Sequence, residues 1–271
     1  MSRLVSFVRF CYTGRVKTVA GTAQAQSDVF AATHWSVIIA AGDSQIAPEA
    51  AKAGLAQLCE TYWSPLYTFV RTCGYSVHDA QDLTQSFFAY LIEKKIYARA
   101  DQQKGKFRSF LLASLKNFLA DSRDHEQALR RGGAYDFLPL NEEQVAEAES
   151  MFQTHFALGE SIGEDGLFER SWAEALVAAG LEQLAAAYRA EGKEKLFQEL
   201  KIFLTGSSDP LPSYADLAAR LGVVASTLRS HVTRLRAQYR KALRAEVSRT
   251  VNTEAEVDEE LRELLRVLTG G

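Results

Sequence analysis

Cysteine is scarce in this chain, three in 271 residues, and Cys11, Cys59 and Cys73 form no CxxC pair. An odd, scattered set supports neither a disulfide framework nor a zinc site, so a reducing cytoplasm is the expected compartment and no metal is expected. Cys73 and His78 lie close in sequence, but nothing near them completes a tetrahedral ligand set. Long apolar runs are missing too. None approaches the ~20 residues a membrane span needs, so no membrane is expected as a partner. At the N-terminus Arg3, Arg9 and Arg15 are spread through the segment, and Arg9 interrupts what would be the apolar core of a signal peptide. Residues 1–27 therefore read as a flexible extension rather than a secretory leader. No glycine-rich phosphate loop or nucleophile motif occurs. Asp79 and Asp82 have no third carboxylate spaced to join them as metal ligands. The expectation is a protein that is not an enzyme and carries no cofactor. Nor is the chain a polycation: its formal net charge is −3, which argues against indiscriminate binding to nucleic acid and leaves only local concentrations of charge to consider.

What is present is helical periodicity. Sustained period-two alternation is lacking and apolar residues recur at spacings of three and four almost throughout, which predicts an all-α fold. A first block runs from about Pro48 to Asp124. Leu55, Leu58, Tyr62, Leu66 and Phe69 mark one buried face, and Pro65 is expected to kink or split the helix that carries them. Gly74 ends that helix. Ser76 and Asp79 open the next as a capping box, with Ala80, Leu83, Phe87 and Leu91 as its apolar stripe. A third helix follows the basic loop at Lys104–Lys106 and reaches about Arg123. The segment 126–166 is rich in carboxylates and reads as an acidic linker with local helix around Glu142 to Met151. A second helical block covers 167–249, with helices expected near Trp172–Arg189 and Lys193–Leu204 and a break at Gly206–Pro212. An acidic helix is expected within 250–271. The organisation is thus two helical domains, 28–125 and 167–249, joined by the linker.

The second block holds a helix-turn-helix. Ser213 and Asp216 cap a helix through Leu221, Ala218 is small where two helices must approach, and Gly222 stands where a tight turn needs positive φ. Leu228, Val232 and Leu235 give the second helix its inward face. Its outward face carries Ser226, Thr227, Arg229, Ser230, Thr233, Arg234 and Arg236, the residue types that reach base edges and phosphates in the major groove. From Ser213 to Arg249 eight cations face two carboxylates, a local excess of +6, suited to salt-dependent phosphate contact. Val224 and Ala225 stand where a capping side chain is usual, so the second helix is expected to start late or to be weakly capped.

The first block has its own basic segment. From Lys94 to Arg131 ten cations face four carboxylates, again +6, with Phe107, Phe110 and Phe118 interleaved. Cations beside aromatics suit single-stranded nucleic acid, while inward-facing core aromatics give the same pattern.

The run His78-Asp-Ala-Gln-Asp-Leu-Thr-Gln-Ser-Phe-Phe88, followed by Lys106-Phe-Arg-Ser-Phe-Leu-Leu112, resembles region 2 of bacterial RNA polymerase sigma factors of the extracytoplasmic-function type. Tyr214-Ala-Asp-Leu-Ala-Ala-Arg-Leu-Gly222 with Ser226-Thr-Leu-Arg-Ser230 resembles region 4. The resemblance covers about Leu55 to Asp124 and Leu181 to Leu243, and implies a region 2-like three- or four-helix bundle followed by a region 4-like domain. It implies contact with core RNA polymerase through Asp79, Asp82, Leu83, Gln85 and Phe87. Recognition of a promoter −10 element would fall to Lys106, Arg108, Ser109, Lys116, Asn117 and Arg123. Duplex −35 recognition would fall to the outward residues of the helix-turn-helix. Core polymerase and promoter DNA are then the partners, and an anti-sigma factor is a further candidate. Phe110 stands where the family often has tryptophan, and the stretch 181–212 is longer than the family pattern. The acidic C-terminal helix, six carboxylates against Arg262 and Arg266, is expected to fold over the basic helix-turn-helix face. The alternative is a two-domain helix-turn-helix regulator that never engages the polymerase.

Overall fold

The computed structural model describes residues 48–100, 105–129, 142–157, 163–205, 212–251 and 253–269. Among them every regular element is helical and no strand occurs. The extension 1–27, the loop cations Lys104, Arg130 and Arg131, and most of the Gly206–Pro212 break lie outside the described residues. The described chain falls into two compact units: one takes in residues 48–175 and 249–251, the other 176–248 and 253–269.

In the first unit, α1 (Pro48–Thr72) buries Leu58, Tyr62, Leu66 and Phe69 of its expected stripe, with Leu55 half-buried, and also buries Cys59, Trp63, Tyr67 and Val70. This two-sided burial explains what happens at Pro65. A proline inside a helix loses one backbone bond and clashes with the preceding turn, at about 3 kcal/mol, yet α1 is a single element that contains it. Leu66, Tyr67, Phe69 and Val70 are each at most 1% exposed. Side chains of that size gain about 1.5–3 kcal/mol apiece on burial, so packing beyond the proline outweighs the local defect. The helix stops where Gly74 takes φ +90° and its N–H turns back to the Arg71 carbonyl.

α2 (Val77–Glu93) opens on Ser76. The Ser76 hydroxyl accepts from the Asp79 N–H at 3.1 Å and donates to the Asp79 carboxylate at 2.6 Å. The expected cap is therefore present, but its second bond is hydroxyl to carboxylate rather than backbone to carboxylate. The buried face is Ala80, Thr84, Phe87, Phe88 and Leu91, broader than the sequence stripe, and Leu83 is only half-buried. Thr84 satisfies its buried hydroxyl on the Ala80 carbonyl at 2.7 Å. A 3-10 turn (Ile96–Arg99) follows, then α3 (Phe107–Leu129) with Phe107, Leu111, Leu112, Leu115 and Leu119 buried.

Residues 142–157, placed by sequence in the acidic linker, form a longer helix than Glu142 to Met151. This is α4 (Glu142–Ala157), which docks on α1. Arg71 makes a forked pair with Glu149, Nε to Oε2 at 2.8 Å and Nη2 to Oε1 at 2.9 Å. The Tyr67 hydroxyl donates to the same carboxylate at 2.6 Å, and the Arg71 guanidinium lies over the Phe152 ring at 4.6 Å. Chiefly because Arg71 bonds it, the Glu149 carboxyl is held down at about 2. Burial, then the bond to Glu149, pushes the Tyr67 phenol up. α5 (Glu164–Ala190) supplies this unit with Leu167, Phe168, Ser171, Trp172 and Ala173, all buried.

In the second unit, α5 from Leu176 onward buries Leu176, Val177, Leu184, Ala185 and Tyr188. The helix expected over Lys193–Leu204 is divided at Lys201 into α6 (Glu194–Leu200) and α7 (Ile202–Thr205). α8 (Tyr214–Leu221), α9 (Ala225–Ser248) and α10 (Glu254–Thr269) complete it. Gly180 lets α5 and α9 approach closely: a Cβ there would sit 3.3 Å from the Leu243 backbone. Across the same contact the Tyr239 hydroxyl donates to the Val177 carbonyl at 3.1 Å.

Candidate nucleic-acid interface

The geometry of the helix-turn-helix follows from its turn. Ser213 caps α8 by accepting from the Asp216 N–H at 3.1 Å. At the other end Gly222 adopts φ +65°, ψ +29°. The Gly222 N–H bonds the Ala219 carbonyl at 3.3 Å and the Val223 N–H bonds the Ala218 carbonyl at 3.0 Å. This is the Schellman arrangement, in which a left-handed residue lets its own N–H and that of the following residue close the helix end. Leu217, Ala218, Leu228, Val232 and Leu235 are buried between the two helices and the rest of the unit. α9 begins at Ala225, one residue before the late start considered from sequence, and the Val224 carbonyl accepts from the Leu228 N–H at 3.1 Å.

The outward face of α9 is open. Ser226, Thr227, Arg229, Ser230, Thr233 and Arg234 are all exposed, and Arg236 is half-buried with Nη2 directed at the Phe203 carbonyl, 3.5 Å away. Ser230 and Thr233 donate their hydroxyl protons to the carbonyls of Ser226 and Arg229, at 3.1 and 3.0 Å. Their oxygens remain available as acceptors. Other cations of the motif are engaged within the unit: Arg220 pairs with Glu199 at 2.9 Å. Arg244 reaches Asp258 at 2.6 Å and Glu254 through Nε at 2.9 Å, with a further contact from Nη2 to Glu254.

These last pairs correct the expectation for the acidic C-terminal helix. α10 packs on α9, and its Val257, Leu264 and Leu268 are buried. Arg244 of α9 pairs with Glu254 and Asp258 of α10, while Ser226, Thr227, Arg229, Ser230, Thr233 and Arg234 stay exposed. Leu243 and Val247, on either side of Arg244 in α9, are buried too, so apolar burial accompanies these ion pairs.

In the first unit the expected site residues separate. Asp79 and Asp82 are exposed on α2, and His78 Nδ1 lies 3.1 Å from Asp82 Oδ2. The i,i+4 spacing of this pair is visible in the sequence itself. Leu83 and Gln85 are half-buried, but Phe87 is 0% exposed and packs on Phe88 and Phe118. It is a core residue and offers no surface to a partner. On α3, Ser109 and Asn117 are exposed, and Lys106 just before it is half-buried. Lys116 is exposed but pairs with Asp165 at 2.6 Å. Arg108 departs most from expectation: it is 4% exposed, its Nε donates to Glu169 at 2.6 Å, and its guanidinium lies 3.9 Å from the centroid of the Trp172 ring. The side chain of Arg123 lies outside the described residues. Of the interleaved aromatics, Phe107 meets Tyr62 edge to face and Phe118 meets Phe87 and Tyr90, so both serve packing. Phe110 is half-buried against Phe107.

Two residues not singled out as site residues emerge from the geometry. Val224 is 66% exposed at the start of α9. Tyr214, the first residue of α8, is stacked on Phe203 with 5.0 Å between centroids and 10° between planes, and Arg229 lies over its ring. Among the described residues no three potential metal ligands gather, and no helix is long and apolar enough to cross a membrane. No protein-family model, curated protein or solved structure matches the chain.

Proposed function

We propose that this chain is an RNA polymerase sigma factor of the extracytoplasmic-function type, a two-domain cytoplasmic protein that engages core polymerase and promoter DNA. The observation that carries the reading is the open face of α9, where Arg229 and Arg234 stand exposed among hydroxyl side chains on the second helix of a helix-turn-helix. That is the arrangement with which a recognition helix meets base edges and phosphates. Val224, exposed at the tip of the same helix, is placed where an apolar side chain can meet a thymine methyl group. Exposed Asp79 and Asp82 on α2 support a polymerase contact, and Lys106 just before α3 with Ser109, Lys116 and Asn117 on it support a contact with the −10 strand. Phe87 and Arg108 are not included, because both are occupied internally.

Run-off transcription with core polymerase and genomic promoter fragments tests the proposal. Initiation above that of core alone is expected, and its absence together with the absence of a stable complex with core would remove the reading. The burial of Phe87 and Arg108 favours the second reading, a helix-turn-helix regulator that binds duplex DNA without polymerase. Promoter-proximal DNA binding with no retention of core polymerase would select it.

A further inference from the structure

Arg229 is the fifth residue of α9, near the end that a recognition helix presents to base edges. Ser226, Arg229 and Thr233 lie along one face at three- and four-residue spacing. The Thr233 hydroxyl proton is already given to the Arg229 carbonyl, so the strongest donor fork on that face is the guanidinium itself. The Arg229 guanidinium carbon lies 5.8 Å from the centroid of the Tyr214 ring, within reach of a cation–aromatic attraction. Tyr214 cannot easily drift, because its other contact is the parallel stack on Phe203, a side chain only 6% exposed. The order is therefore a buried ring, a half-exposed ring and an exposed guanidinium. Arg234, five residues on, points about 140° around the helix from Arg229 at 100° per residue and has no such platform among the described contacts.

We propose that Tyr214 is a positioning residue for Arg229, and that the pair reads a guanine in the major groove of duplex DNA. The inference rests on the DNA-binding reading above. Holding a long side chain before binding reduces the ordering cost at the moment of contact. The planar fork then matches the two acceptors of guanine, O6 and N7, in a fixed geometry that lysine's rotating ammonium does not hold. Tyr214 thus influences one base position without touching DNA.

The test uses the intact chain. Duplexes are selected from a random pool, and the selected duplex is compared with its single G·C to A·T variants. Arg229→Ala should abolish discrimination at one G·C pair, and Arg229→Lys should weaken it there while keeping the salt dependence. Tyr214→Leu, which keeps an apolar contact with Phe203, should reduce discrimination at that same pair by about two- to five-fold, the scale of an exposed cation–aromatic contact. Tyr214→Phe should retain it. A DNA-free arm reads the Arg229 Nε–H resonance, expected to carry a ring-current shift in the wild type and in Tyr214→Phe and to lose it in Tyr214→Leu. Equal loss of affinity for every duplex in Tyr214→Leu, or unchanged discrimination at the Arg229-dependent pair, overturns the positioning role. So does a wild-type Arg229 resonance with no ring-current shift, even where DNA binding holds. If the wild-type chain selects no duplex at all while the resonance is shifted, the DNA-binding reading fails and the guanine assignment fails with it.

Discussion

Replacing Gly222 with alanine probes the turn on which the helix-turn-helix depends. The backbone there has φ +65°, and a Cβ built on it meets no heavy atom within 4 Å. No steric clash adds to the effect, so the cost is conformational alone. An L-residue in the left-handed region loses roughly 1–2 kcal/mol relative to glycine. Restricting the unfolded chain returns about 0.4–1 kcal/mol of that. The net expected loss is about 1 kcal/mol, which for a domain of 60–100 residues lowers Tm by about 4–8 °C. Gly222→Asn should lose much less, because asparagine tolerates this conformation. The measurement is thermal unfolding of the two variants beside the wild type, followed by circular dichroism. Since Gly222 also orients α9 against α8, Gly222→Ala should weaken duplex binding more than Gly222→Asn. The reasoning is refuted if alanine melts with the wild type, or if asparagine proves the more damaging of the two.

Three further outcomes follow from the packing. Glu149 is held at about 2 by Arg71, below its ordinary value of 4.5, so it adds stability that is complete above about pH 4.5 and lost as pH falls towards 2. Glu149→Gln should be less stable than the wild type at neutral pH, with the gap closing across that acid range in denaturant titrations. Arg108→Ala should destabilise the protein by about 3 kcal/mol through loss of a buried, ring-stacked ion pair, leaving the salt slope of nucleic-acid binding unchanged; a shallower slope in a folded variant would show that Arg108 meets phosphate after all. Leu264→Ala in α10, a side chain 0% exposed, should cost about 2–5 kcal/mol without raising DNA affinity, whereas a gain in affinity at unchanged stability would revive a masking role for that helix.

Much of the fold was legible because helix formation is written locally. Spacings of three and four announced α1, α2 and α9, Gly74 and Gly222 marked their turns, and Ser76 and Ser213 opened their helices with the capping side chains expected of them. The candidate face of α9 was legible for the same reason, since residues alternating with a clear apolar stripe must point outward. In α3 the pattern was ambiguous. Apolar side chains cover more than one face there, and nothing local distinguishes a cation bound for solvent from one bound for a buried carboxylate. Arg108 and Lys116 look alike in sequence, yet one is enclosed by Glu169 and Trp172 while the other stays exposed beside Asp165. Phe87 is the complementary case: it falls within the run that resembles region 2, yet its stripe with Ala80 and Leu91 already assigns it to the core.

The sequence by itself determined the helical class, the turn at Gly222 and the outward chemistry of α9, because these depend on φ preferences, capping and period, which act within a few residues. Only the tertiary structure decided that α1 continues through Pro65, that α10 pairs with Arg244 of α9 rather than with the exposed cations Arg229 and Arg234, and that Arg229 lies over the Tyr214 ring stacked on Phe203. Each of those turns on which apolar surfaces bury one another across long stretches of chain. The energies of such burial exceed the local preferences they override, and no local pattern specifies the partner.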